Sequence, residues 1–239
     1  MLNTSPAPLI DQLDYLGNPL SSARRILTLH PELQRIDGAF EDLVHSFSFL
    51  VSYNGSTATF NSYRREVERL LQWCWLVRGC GLGELKRQDL ETYIHFCQSP
   101  PKSWIGSKQV ARFKNHQGER VANPDWRPFV NQAIKADPQA RTVFSLSQKS
   151  LQALFAVLST YFNYLLQEDY LRINPVALIR QKSKFLQRHA YQEPVRRLSN
   201  LQWDFILETV EQLAKESPAE HERSLFVMRL LFGMYLRIS

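Results

Sequence analysis

Apolar residues recur with a helical period along most of this chain. Phe60, Tyr63, Val67, Leu70, Leu71 and Cys74 fall at i, i+3, i+4 and i+7, which predicts an amphipathic helix over residues 57–78. Ser56 is placed to cap its start, and Gly79, Gly81 and Gly83 end it. Arg64, Arg65, Glu68 and Arg69 fall largely on the opposite face. A second, wider stripe (Leu151, Leu154, Phe155, Leu158, Tyr161, Phe162 and Leu165) predicts a deeply buried helix over 147–168. Shorter amphipathic patterns predict helices over 38–52, from Phe40, Leu43, Val44, Phe47 and Val51, and over 89–97, from Leu90, Tyr93, Ile94 and Cys97. Near the C-terminus, Ser199 with Gln202 forms a capping box that opens another helix, and an apolar helix comes after it over 222–236. No segment alternates with a period of two, so the expected class is all-α.

The gaps between these patterns are also informative. Residues 1–37 carry Pro6, Pro8, Pro19 and Pro31 and no sustained period, which reads as an irregular lead-in with a short helix near Ser22. Residues 98–144 carry five prolines (Pro100, Pro101, Pro124, Pro128, Pro138) and interrupt the helical pattern. Such a stretch reads as an insertion separable from the fold, with a short helix near 127–135. Its aromatic residues, Trp104, Phe113, Trp126 and Phe129, lie among basic ones and suit either of two roles, anchoring the insertion or stacking on nucleic acid. Residues 181–194 are polar and basic, as suits a linker.

Composition changes this picture little, and charge more. The 239 residues are 44% hydrophobic and 22% charged, ordinary for a globular protein, and no apolar run reaches the length of a membrane span. Cys74, Cys80 and Cys97 are odd in number and lack metal-type spacing, so they read as free thiols of a reducing, cytoplasmic setting. The net charge of +6 is unevenly spread. Residues 1–52 are acidic. Residues 102–149 and 172–197 form two basic blocks, which suit a polyanion whose counterions are released on binding. The histidines are scattered, and no zinc-type, Walker-type or dinucleotide-binding pattern occurs, so neither a metal nor another cofactor is expected.

The segment Leu230-Leu231-Phe232-Gly233-Met234-Tyr235-Leu236-Arg237-Ile238-Ser239 resembles the first catalytic-arginine motif of the tyrosine recombinases, the phage-integrase family. Three further segments resemble that family in the same order. Ser56-Thr57, Tyr63-Arg64 and Trp73-Cys74 resemble the opening helix of its core-binding domain. Asp169-Tyr170-Leu171-Arg172-Ile173-Asn174-Pro175 resembles the turn and Asn-Pro step that close that domain. Leu198-Ser199 resembles the step that opens the catalytic domain. One departure stands out: Tyr235 occupies the position, two before the arginine, where the family usually has glycine.

The resemblance implies a SAM-like helical core-binding bundle followed by the first two helices of the catalytic domain. Its implied boundaries are a lead-in with one helix at 1–55, a core-binding domain at 56–184 with the insertion at about 98–144, a linker at 185–193, and the catalytic start at 194–239. The family cuts and rejoins DNA through a 3′-phosphotyrosine intermediate, with the intact protein acting as a tetramer of subunits on double-stranded DNA. It implies Arg237 as the catalytic arginine on the scissile phosphate, a task suited to the planar, always-charged guanidinium fork. It implies DNA contacts from Arg64, Arg65, Arg112, Lys149 and Gln152, and from Lys182, Lys184 and Arg188 across the linker. The nucleophilic tyrosine would lie further on, so the 239 residues read as a part that binds DNA without cleaving it. The alternative is a non-catalytic helical DNA-binding or protein-interaction module.

Overall fold

The structure is a computed structural model that describes residues 5–131, 144–179, 185 and 199–234. The chain divides into two compact units, Met1–Arg188 and His189–Ser239.

The first unit is built around helix α3 (Thr57–Gln72), which continues into a π-helical turn, Trp73–Arg78. Ser56 caps α3 by accepting from the Thr59 amide, and Gly79 ends the π turn with a left-handed φ of 75°. Helices α1 (Pro19–Leu29) and α2 (Ala39–Val51) precede α3, and α4 (Arg87–Gln98) comes after it. The long α5 (Gln148–Gln167) starts at a Ser147 cap. Its buried face, including Leu154, Leu158, Tyr161, Phe162 and Leu165, packs on α2 and α3. Each large apolar side chain withdrawn from water there contributes about 1.5 to 3 kcal/mol. Asp42 of α2 stitches distant segments to this core. It is fully buried and accepts from Trp75 Nε1 (3.1 Å), the Leu82 amide (3.0 Å) and the Tyr170 hydroxyl (2.6 Å). Gly81 lies so close that a Cβ there would meet the Asp37 carbonyl oxygen at 2.4 Å, so no larger residue fits without moving the backbone.

The all-α expectation is corrected by two small sheets within the insertion. Strand β1 (Ile105–Gly106) pairs in parallel with β4 (Phe129–Val130), and β2 (Phe113–His116) pairs antiparallel with β3 (Glu119–Ala122). Gln117 and Gly118 both have positive φ, 50° and 87°, which is the two-residue hairpin geometry that matches strand twist. The helix expected near 127–135 is replaced by β4 at its start, and its end lies outside the described residues. Strands of two and four residues are too short to show a period.

The short helix expected near Ser22 is α1, and both the lead-in and the insertion supply residues to the core. Leu9, Ile10, Ala23, Ile26 and Leu33 of the lead-in are buried in the core, as are Trp104 and Phe129 of the insertion. Both segments cover the polar face of α3. Glu68, Arg64 and Arg69, read from the sequence as facing outward, are 0%, 7% and 6% exposed. Asn174 caps the turn after it, accepting from the Val176 and Ala177 amides.

The three cysteines are free and buried. No helix among the described residues is long and apolar enough to cross a membrane.

The second unit holds α6 (Asn200–Glu216), opened by the Ser199–Gln202 capping box, and α7 (Pro218–Gly233). The two pack on each other, with Arg229 paired to Glu211 at 2.5 Å. No residue of α6 is fully buried, and Leu201, Phe205 and Phe226 stay 80%, 70% and 64% exposed.

Candidate nucleic-acid interface

A cleft of about 1030 Å³ opens where the first turns of α3 and α5 meet the insertion. Seven basic side chains line it, Arg64, Arg65, Arg69, Lys108, Arg112, Arg120 and Arg127, against the acids Asp11, Asp14 and Glu66. Thr57, at the start of α3, and Ser147 and Ser150, at the start of α5, also face it. Helix N-termini carry positive partial charge, so this wall adds to the field of the arginines.

Most of these cations are held in place by the protein itself. Arg69 donates to Glu66 (2.7 Å) and to the Pro128 carbonyl (2.8 Å), and its guanidinium lies 4.1 Å from the centre of the Phe129 ring. Arg65 donates from Nε to the other oxygen of Glu66 (2.7 Å) while its own side chain stays half exposed. Arg120 grips Asp11 with two bonds, 2.9 and 2.6 Å, and stacks over Tyr15. Arg127 donates to the Pro124 and Trp126 carbonyls. Arg112 lies over Trp126 and pairs with Glu68, the buried carboxylate that also accepts from the Leu9 and Ile10 amides. Burial and the charges of Arg64 and Arg65 push the Arg112 guanidinium down to about 9. Direct contact with Glu68 works the other way and keeps it charged.

Arg64 differs. Its Nη2 donates to Asn61 Oδ1 (2.8 Å), but Nε and Nη1 are buried without a hydrogen-bond partner, and no acid pairs with it among the described residues. Burial pushes its guanidinium below the usual arginine value.

The residues expected at a DNA interface therefore separate. Arg64, Arg65 and Arg112 come together in the cleft. Lys149 and Gln152 are exposed on the first turns of α5, outside the cleft lining. Lys182, Lys184, Arg188 and Arg237 lie outside the described residues. Sequence reasoning did not select Arg69, Lys108, Arg120 or Arg127, and only the last three carried a signal, their place in the first basic block. Among the described residues no cluster of His, Cys, Asp and Glu could hold a metal ion. No protein-family model matches this chain, and no match is found among curated proteins or solved structures.

Proposed function

We propose that this chain is the DNA-binding portion of a tyrosine-type site-specific recombinase, working in the cytoplasm on the nucleoid with further subunits of its kind. The observation that carries the DNA part of this reading is the basic cleft at the start of α3 and α5, where cations outnumber acids and two helix N-termini converge. A cleft of that charge attracts a polyanion through counterion release, and its held arginines offer fixed donors to phosphate oxygens. The recombinase part rests on the ordered sequence resemblance that ends at Arg237. In this reading Arg237 binds the scissile phosphate, and no tyrosine of these 239 residues is the nucleophile.

The test is a salt titration of duplex binding, followed by fluorescence anisotropy. Affinity should fall log-linearly with salt, and Arg65→Ala and Lys149→Ala should each reduce the slope by about one. Reversal of Lys182 and Lys184 to Glu should weaken binding to every sequence. Binding that is absent at low salt, or indifferent to salt, overturns the DNA reading. On a nicked suicide duplex the 239-residue chain should form no covalent adduct. An adduct would show that the nucleophile has been misassigned.

A further inference from the structure

We propose that the Arg64 end of the cleft is a subsite for one phosphate group, supplied by the DNA backbone. The DNA source rests on the function proposed above; the phosphate subsite itself rests on local geometry.

Arg64 is buried to 7% exposure, yet two of its three guanidinium nitrogens meet no acceptor. A buried charge without a partner is costly, and proteins seldom carry one unless a ligand supplies the missing acceptor. The neighbouring acids do not fill this role, because Asp11 is bound to Arg120, and Glu66 to Arg65 and Arg69. Asp14 is exposed. The lining offers further donors of the kind an oxyanion takes. The Ser147 and Ser150 hydroxyls lie 2.9 Å apart at the start of α5, and Thr57 begins α3. Arg65 and Arg112 add positive charge nearby, and the charges of Arg64 and Arg65 are close enough to be felt at Arg112. A phosphate group has the negative charge and the several acceptor oxygens that this set lacks. Arg64 is poorly placed to read bases, since its stem is enclosed and its fork is fixed by Asn61 and the Phe60 ring. It would position the backbone, independent of sequence.

The experiment uses the full chain, with thermal unfolding in inorganic phosphate against chloride at matched ionic strength. Wild type should show a melting temperature that climbs with the logarithm of phosphate concentration once the site fills. Arg64→Met, which keeps the apolar stem and removes the unpaired charge, should melt no lower than wild type without phosphate and should lose the added response. Arg64→Lys keeps the charge but not the fork, and should weaken the response, so a readout survives if the Met variant folds poorly. In parallel, Arg64→Met should weaken binding to a short duplex about tenfold or more, the size of a lost charge-assisted bond. Phosphate raising wild type and both variants alike would be a general solvent effect and would overturn the subsite, as would no response in any of them. A phosphate response lost in the variants, with duplex binding unchanged by them, would overturn the DNA source in favour of a free phosphate compound. A wild type that responds to phosphate but binds no duplex would sink the proposed function and leave the subsite standing.

Discussion

Replacing Glu68 by glutamine should break the ion pair that ties the insertion to the central helix of the first unit. Glu68 is fully buried on α3. One oxygen accepts from the Leu9 and Ile10 amides, and the other pairs with Arg112. The amide variant keeps the shape and can still accept from the lead-in. It then turns an NH2 group toward the Arg112 guanidinium, donor against donor, and leaves that charge buried without its counter-ion. Breaking one side of a buried pair costs about 3 to 5 kcal/mol. Urea unfolding followed by tryptophan fluorescence is the natural assay, because Trp73, Trp75, Trp104 and Trp126 all lie buried in this unit. With a slope of about 2 to 3 kcal/mol per molar, the midpoint should drop by roughly 1 to 2 M. Arg112→Met made in the same chain should restore a large part, with a coupling of about 2 kcal/mol in the double-mutant cycle. A Glu68→Gln variant within about 1 kcal/mol of wild type would place the pair in the weak class of exposed salt bridges and refute the reasoning.

Two other outcomes are expected from the same packing. Burial raises the Asp42 carboxyl from 3.8 to about 6, against the opposing hydrogen bonds from Tyr170, Leu82 and Trp75. The folded state therefore holds this proton more tightly than the unfolded chain. The Asp42 contribution should be fully present below pH 3.8 and lost as pH rises through about 6, a fall of roughly 3 kcal/mol. Urea midpoints compared across that window should show the fall, and Asp42→Asn should flatten it. Replacing residues 101–131 by a short Gly/Ser linker should abolish cooperative unfolding. It removes the buried Trp104, Trp126 and Phe129, each worth about 3 to 5 kcal/mol on truncation, and strips Glu68 of Arg112. Retention of a sharp transition and of near-UV circular dichroism would mean that the insertion is peripheral after all.

Sequence reasoning succeeds where the determinant is local. The Phe60–Val67–Leu70–Leu71 stripe, the stripe from Leu151 to Leu165, the Ser56 cap and the Ser199–Gln202 box each involve residues within a few positions of one another, and the structure places each as expected. It fails where the partner is remote. Nothing near Glu68 announces that its acceptors serve amides 58 and 59 residues upstream, so a charged residue on the polar face reads as solvated. The same holds for Arg120, whose partner Asp11 lies 109 residues away. Arg64, Arg65 and Arg112 stand out in the sequence for their charge and for the resemblance, but nothing there tells that a cleft gathers them or that, of these three, Arg64 pairs with no acid among the described residues. The hairpin at Gln117-Gly118 carries a readable turn signal in its glycine, but four-residue strands with mostly exposed side chains offer no stripe to set beside it.

The Asp42 clasp bears on how the chain acquires its fold during synthesis. Its Tyr170 partner lies 128 residues downstream, and Ser46 on the same helix bonds Tyr161, 115 residues downstream. Helix α2 therefore emerges from the ribosome well before its closing partners exist, with Phe49 not yet packed against Tyr161 and Tyr164 of α5. Such dependence on distant partners slows folding and lengthens the interval in which apolar surface is open to aggregation or to chaperones. A ribosome paused before residue 170 would carry a first unit that has every helix up to α5 but not the hydroxyl that locks Asp42 in place.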